Sequence, residues 1–234
     1  MPGDNVHKGH RQRMKSKFLL NGLDAFEVHE ALEILLYYAV PRCDTNPIAH
    51  RLLEHFGSVS AVFDAPVDTL KDAGLSESTA ALIKLIPEMS RLYLDDKYNN
   101  RDKVLDFDSL ADYIKQKFIG RNEETVILLL GDAKGKEVFC GVIAKGSINS
   151  SDVPVRKVID LALRYNAKTA CIAHNHPSGI AIPSTDDIKT TKNIYDALMH
   201  IGVILVDHII VADGDAVSLV QSGLFDEDFS SFNE

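Results

Sequence analysis

The sequence lacks tryptophan and contains only three cysteines in 234 residues. Cys43, Cys140 and Cys171 are odd in number and form no Cys-x-x-Cys pair, which argues against a disulfide framework and against a thiolate zinc site. No apolar run approaches the ~18–20 residues that a membrane-spanning helix needs, and the first residues lack the apolar core of a signal peptide. These absences lead us to expect a cytoplasmic protein with reduced thiols and no membrane partner.

Acidic residues are in excess, because 34 Asp and Glu against 25 Lys and Arg give a net charge of −9. This balance argues against a protein that coats nucleic acid over its whole surface. The N-terminus differs, since it carries a basic cluster of five side chains within ten residues: Lys8, Arg11, Arg13, Lys15 and Lys17. The basic cluster has two interpretations, a contact with DNA phosphates or a short solvated arm.

Hydrophobic residues make up 45% of the chain, and their spacing changes near residue 100. From Leu23 to about Tyr98 they recur every three to four positions, which predicts helices. Further along, the pattern predicts strands at Thr125–Leu130, Glu137–Ile143, Thr169–Ala173, Val203–Val211 and Ala216–Leu219, and helices at Asp108–Phe118, Pro154–Tyr165 and Asp187–Ile201. The sequence therefore predicts an α+β protein in four parts: an all-α domain at 1–98, a linker at 99–106, an α/β domain at 107–223 and an acidic tail at 224–234.

The segment from Leu70 to Ile83 looks like a helix-hairpin-helix, in which a Gly-hydrophobic-Gly turn exposes backbone N–H groups to a DNA phosphate. Here Gly74 and Leu75 are followed by Ser76, which replaces the second glycine. Two interpretations therefore stay open, a weak contact with DNA and a purely structural hairpin.

The segment from His174 to Asp187 carries the most informative motif. His174 and His176 follow a predicted strand at positions i and i+2, so their imidazoles share a face and can converge. Asp187 comes after a Pro-Ser-Gly turn, in the first turn of a predicted helix. Two neutral imidazoles and a carboxylate leave the fourth tetrahedral position of Zn²⁺ to water. The Ser184-x-x-Asp187 spacing also fits an ordinary capping box at a helix N-terminus.

The complete string of His-x-His-Pro, a glycine-containing loop and Ser-x-x-Asp resembles the JAMM/MPN metalloprotease motif. The resemblance implies that His174, His176 and Asp187 bind zinc, and that Ser184 assists by donating a hydrogen bond to an oxyanion. It therefore implies a catalytic metal centre.

The same resemblance implies a glutamate at the head of an upstream strand, where it acts as general base. Glu123 falls at that place relative to the hydrophobic run, whereas Glu124 is one step off and therefore on the opposite face. We expect Glu123 to be the base. The alternative is that both glutamates are ordinary solvated charges at a strand end.

Nearly the whole chain resembles the RadC family of bacterial proteins. The resemblance rests on His10-Arg-Gln-Arg13, Gly22-Leu-Asp24, His29-Glu30, Leu35-Leu-Tyr-Tyr-Ala39, Asp44-Thr-Asn-Pro-Ile-Ala-His-Arg51, Phe56-Gly-Ser58, His174-Asn-His-Pro-Ser-Gly179, Pro183-Ser184, Asp187 and Leu205-Val-Asp-His208. It implies a helix-hairpin-helix-like front domain followed by a JAMM/MPN domain with a mixed sheet like that of cytidine deaminases. One departure is Lys157, where the family usually has glutamate, and we assign it no catalytic role.

The resemblance implies a zinc-dependent hydrolase that cleaves a peptide or isopeptide bond in a protein or peptide substrate, with weak DNA contact through the front domain. The alternative is a non-catalytic, DNA-repair-associated module that binds nucleic acid or protein. Asp207 and His208 on a late strand also have two interpretations. They either form a core hydrogen-bonded pair, which we favour, or support the metal ligands from behind.

Overall fold

The computed structural model of the chain describes residues 9–97, 107–146 and 154–224. The predicted linker at 99–106 and the predicted acidic tail beyond Leu224 lie outside the described residues, so the predicted domain boundaries stay a prediction. The chain divides into two compact units, Met1–Met89 and Ser90–Glu234. Among the described helices, none has the length and apolar character needed to cross a bilayer.

The first unit is helical, as its three-to-four spacing predicted. Its elements are α1 (His10–Asn21), a 3-10 turn (Leu23–Ala25), α2 (Val28–Leu36), α3 (Asn46–Phe56), α4 (Val59–Asp64), α5 (Val67–Asp72) and α6 (Glu77–Lys97), which continues into the second unit. Helix ends follow local chemistry: α3 has Pro47 in its first turn and stops at Gly57, whose φ of 85° suits glycine. The core is a cluster of buried aliphatic side chains that includes Leu36, Leu52 and Ile83.

The turn between α5 and α6 shows the structural role of Ser76, which stands where a helix-hairpin-helix has its second glycine. Gly74 has a φ of 91°, a conformation that glycine adopts without steric penalty. The Ser76 hydroxyl oxygen accepts the backbone N–H of Thr79 at 3.2 Å and lies 2.8 Å from the Thr79 hydroxyl. Ser76 therefore satisfies a free amide at the start of α6, as an N-cap residue does.

The second unit is a five-stranded mixed sheet with helices. Its elements are α7 (Phe107–Lys117), β1 (Thr125–Gly131), β2 (Glu137–Lys145), α8 (Val155–Arg164), β3 (Thr169–Asn175), α9 (Thr185–Met199), β4 (Ile204–Ala212) and β5 (Asp215–Ser218). The strand order is β2-β1-β3-β4-β5. Only β3 and β4 pair in parallel among these strands. The α+β class is confirmed, and each predicted strand and helix end lies within two residues of the observed one.

Side chains on the central strands alternate between two cores. Leu128 of β1 and Ile172 of β3 belong to a core that includes buried residues of α8 and α9, while Ile127 and Ala173 belong to a core that includes α7. Because β3 and β4 are parallel, α9 crosses between them and begins near the carboxyl end of β3. His174, next after Ala173, therefore lies on the sheet face that α9 covers.

Candidate metal centre

The predicted ligands His174, His176 and Asp187 come together in the structure. The two histidines lie at the end of β3, and Asp187 lies in the first turn of α9. One candidate ligand atom from each residue lies within 4.8 Å of the other two. Nε2 of His174 is 2.8 Å from Nε2 of His176 and 3.1 Å from Oδ1 of Asp187. Within the described ranges, this is the one group of three or more His, Cys, Asp or Glu residues with that spacing.

The hydrogen bonds at the site determine which ring nitrogen of His176 is available. Its Nδ1 lies 2.9 Å from the backbone oxygen of Ile180, and a carbonyl oxygen can only accept, so Nδ1 carries the hydrogen. Nε2 of a neutral His176 therefore points its lone pair at Nε2 of His174 and at Oδ2 of Asp187, 3.6 Å away. Electron pairs this close repel each other unless a proton or a metal ion lies between them. A proton can serve in the metal-free protein, and a metal ion can replace it.

The Asp187 carboxylate is held in its charged form. Burial acts to raise the pKa of Asp187, but hydrogen bonds from His174 and Ser184 outweigh it and hold this pKa well below its usual value. Asp187 is therefore an anion at any physiological pH. Two imidazoles and one carboxylate are donor types that suit zinc, and the set leaves a coordination position open.

Ser184 forms the capping box that its spacing allowed. Its hydroxyl donates to Oδ2 of Asp187 at 2.6 Å, and its oxygen accepts the Asp187 N–H at 3.1 Å. The Ser184 backbone N–H donates to the same Oδ2 at 2.7 Å. Ser184 therefore orients the Asp187 carboxylate, to which its hydroxyl hydrogen is donated in the structure.

The two upstream glutamates, Glu123 and Glu124, directly precede β1. The carboxylate of Glu123 is 56% exposed and lies 3.3 Å from Nζ of Lys145. Val126, at the start of β1, pairs with His174, so the two side chains share a face of the sheet. β1 begins at Thr125, and continuing its alternation one residue before the strand would put Glu124 on the face of His174.

Asn175, between the two histidines, is a site residue that the sequence analysis missed. Its Oδ1 accepts the backbone N–H of Thr125 at 2.8 Å, and its Nδ2 donates to the backbone oxygens of Arg121 and Glu123 at 3.1 and 3.2 Å. The side chain is 6% exposed. Asn175 therefore ties the glutamate-bearing segment to the ligand strand.

Asp207 and His208 are separated by the alternation of β4. Asp207 accepts from the Ser218 hydroxyl at 2.7 Å and from the His208 backbone N–H at 2.7 Å. His208 instead contacts the ligand His174, with Nε2 of His208 lying 2.7 Å from Nδ1 of His174. Burial, together with charge on His174, lowers the pKa of His208 well below its usual value, so the ring is neutral. The two side chains do not form a core pair with each other, and His208 adjoins the ligands.

Several other residues singled out in the sequence have structural partners. Cys171 is buried in the core beside α7, and the Lys157 ammonium donates to the backbone oxygen of Ile143 at 2.9 Å. In the first unit, Arg11 of the basic cluster donates to the backbone oxygens of Val40 and Cys43 at 2.7 and 2.5 Å. Lys17 lies 3.3 Å from a carboxylate oxygen of Glu30. Lys8 lies outside the described residues.

Comparisons with known proteins identify relatives over most of the chain. Residues 104–224 match the family described as RadC-like JAB domain. UPF0758 protein FN0909 of Fusobacterium nucleatum is 32% identical over 226 residues, which cover 93% of this chain and 97% of the relative. A UPF0758 protein of Ectopseudomonas mendocina is 34% identical, covering 91% and 95%. UPF0758 protein IL0240 of Idiomarina loihiensis is 32% identical, covering 91% and 96%. These names state no activity.

Proposed function

This chain belongs to the RadC family, and from that premise we propose that it is a zinc-dependent hydrolase of the JAMM/MPN type that cleaves a peptide or isopeptide bond. The observation that carries the proposal is the convergence of one carboxylate and two imidazole Nε2 atoms on one point. The Nδ1 hydrogen of His176 is held by Ile180, so that ring is oriented for binding through Nε2. A purely structural helix cap would not require either histidine.

The exposure of the ligands supports catalysis rather than a closed structural site. The side chain of His174 is 3% exposed, whereas those of His176 and Asp187 are 18% and 16% exposed. One side of the centre is therefore open to solvent and to a substrate. When bound there, zinc supplies a water whose pKa is lowered to about 7 and polarises a carbonyl oxygen.

We propose Glu124 as the general base, in place of the Glu123 expected from the sequence. Alternation backward from the Val126–His174 pair favours Glu124 on the ligand face. The carboxylate takes a proton from the attacking water as the oxygen–carbon bond forms. It then delivers a proton to the leaving amine nitrogen as the carbon–nitrogen bond breaks.

Ser184 has two proposed roles that use the same hydroxyl. In the resting site it orients Asp187 through the 2.6 Å hydrogen bond to Oδ2. During the reaction the hydroxyl hydrogen turns to the developing oxyanion, where a preorganised donor stabilises the transition state. The Ser184 backbone N–H continues to hold Oδ2 while the hydroxyl turns.

Exposed apolar side chains beside the site favour a polypeptide as the substrate. Ile180 and Ile182 lie in the loop between His176 and Ser184, and they are 58% and 69% exposed. Exposed apolar side chains next to a reaction centre are suited to contact the side chains of a bound peptide. We also propose that the protein works in the cytoplasm, where its three cysteines, all free in the structure, stay reduced.

DNA contact through the first unit is proposed to be weak at most. Arg11 is hydrogen-bonded to backbone carbonyls, and Lys17 is paired with Glu30. Lys15 lies over the ring of Tyr38, 4.7 Å from its centroid. These cations have internal partners that a phosphate would have to displace.

The hydrolase proposal is tested with a mass-encoded peptide library that includes isopeptide-linked lysines. Zinc-loaded wild-type protein should generate new amine and carboxylate termini, and both chelated protein and the His176→Ala variant should generate none. If zinc-loaded wild-type protein cleaves no member while binding one zinc, the hydrolase proposal is wrong and the non-catalytic module remains.

A further inference from the structure

We propose that His208 is a positioning residue that fixes the tautomer of His174 and thereby presents Nε2 of His174 to the metal. The proposal rests on the metal site of the proposed function but not on the bond that is cleaved. His208 is 3% exposed, so it does not act on substrate directly. Its effect is expected on metal binding.

The backbone oxygen of Asp187 determines which atoms donate and which accept in the hydrogen bonds behind the site. This oxygen has no hydrogen, so the Thr191 hydroxyl, 2.6 Å away, must donate to it. A hydroxyl has one hydrogen to donate. Thr191 must therefore accept at its 2.5 Å contact with Nδ1 of His208, and Nδ1 of His208 carries a hydrogen.

The same reasoning extends from His208 to the ligand. A neutral imidazole has one donor and one acceptor nitrogen, so Nε2 of His208 accepts. Its partner at 2.7 Å, Nδ1 of His174, must then carry a hydrogen. The lone pair of a neutral His174 is left on Nε2, the atom that faces His176 and Asp187. A relay of three side chains and one carbonyl thus selects the tautomer that binds metal.

The fold brings the members of the relay together from separate elements. His208 on β4 pairs in parallel register with Ile172, two residues before His174, so both histidines lie on the face covered by α9. Thr191 lies one helical turn after Asp187 on α9. The relay therefore connects the backbone of one ligand to the ring of another, and it stabilises both orientations at once. Partners behind a ligating histidine are known to tune metal affinity.

A core histidine that only fills space would have the same burial, so the test must separate volume from hydrogen bonding. Glutamine offers one acceptor oxygen and N–H donors, as neutral histidine does, whereas methionine has nearly the same shape as glutamine and no strong polar atom. We therefore compare His208→Gln with His208→Met. Thr191→Ser and Thr191→Val form a second pair, because serine keeps the hydroxyl and valine replaces it with a methyl group.

Zinc affinity is measured by competition with a chromogenic chelator, and Co²⁺ absorption spectra report the ligand environment. The His208→Met and Thr191→Val variants should bind zinc about 10–100-fold more weakly, while His208→Gln and Thr191→Ser stay within about threefold of wild type. Thermal unfolding of the metal-free proteins identifies variants that fail to fold. If a variant of one matched pair fails to fold, the zinc affinities of the other pair test the proposal.

Two results would overturn the proposal: wild-type zinc affinity in both His208→Met and Thr191→Val, or equal losses within each matched pair of folded variants. Wild-type protein that binds zinc but cleaves nothing contradicts the hydrolase and leaves the relay to be decided by these pairs. Wild-type protein that binds no zinc overturns both.

Discussion

Val126 at the head of β1 pairs directly with His174 near the end of β3. The pair brings the start of the upstream strand beside His174, a proposed metal ligand, and side chains of residues opposite each other share a face. Asn175 strengthens the same connection by accepting the N–H of Thr125, the neighbour of Val126. The general base is therefore expected among the few residues that precede Val126 on the face of His174.

Glu124→Gln is expected to keep zinc and lose hydrolysis, because it removes the base without changing a ligand. The loss should be about 10²–10⁴-fold, the usual contribution of general acid–base catalysis. Glu123→Gln is the matched control and should retain most activity, since Glu123 pairs with Lys145. Peptide cleavage and bound zinc are measured in parallel. An inactive Glu123→Gln beside an active Glu124→Gln would restore the expectation from the sequence.

Ser184→Ala is expected to destabilise the start of α9 and weaken zinc binding. It removes a cap that accepts the Asp187 N–H and a donor that orients the Asp187 carboxylate. Loss of such a cap costs about 1 kcal/mol, which chemical denaturation of the metal-free protein can measure. Ser184→Thr keeps the hydroxyl and should remain near wild type. Unchanged stability and zinc affinity in Ser184→Ala would contradict the capping-box role.

Asn175→Asp is expected to destabilise the second unit, because it replaces the Nδ2 donor with an oxygen that faces the backbone carbonyls of Arg121 and Glu123. Leaving a buried polar group unsatisfied costs about 1–3 kcal/mol, and more when it is charged. Asn193→Asp, at an exposed position of α9, controls for the added charge and should change stability by less than about 0.5 kcal/mol. Urea unfolding of both variants measures the difference, and equal midpoints would show that Asn175 does not join the two segments.

The 234-residue protein is expected to bind duplex DNA weakly and with steep salt dependence. Affinity that depends on phosphate contacts falls sharply as salt rises, and the net charge of −9 supplies little attraction. Fluorescence anisotropy with labelled duplex at low and moderate salt tests this expectation. Tight, sequence-specific binding that resists salt would instead favour the nucleic-acid module as the main function.

The elements of the fold and the convergence of His174, His176 and Asp187 could be predicted because their signals are local. Strand alternation is enough to put the side chains of His174 and His176 on one face, and the Ser-x-x-Asp spacing of a capping box places Asp187 at the start of a helix. The strands of the mixed sheet are likewise short apolar runs bounded by turns. Local sequence patterns were therefore sufficient to predict that these three side chains lie close together.

The sequence left two interpretations of His208 open because the partners of this residue are distant in sequence. His208 is 34 residues from His174, and their contact depends on the register of β4 against β3. The choice between Glu123 and Glu124 depends on one residue of register in β1, whose pairing with β2 shifts between Val126 and Ile127. Hydrophobic patterning does not encode register at this level.

The most direct test of the metal centre is elemental analysis of purified wild-type protein and of His176→Ala. Wild-type protein is expected to carry about one zinc per chain, and His176→Ala almost none, because it removes the Nε2 ligand that faces His174. His55→Ala, at an exposed histidine of the first unit, is the control and should keep the wild-type content. Equal zinc in wild type and His176→Ala would contradict the site proposed for His174, His176 and Asp187.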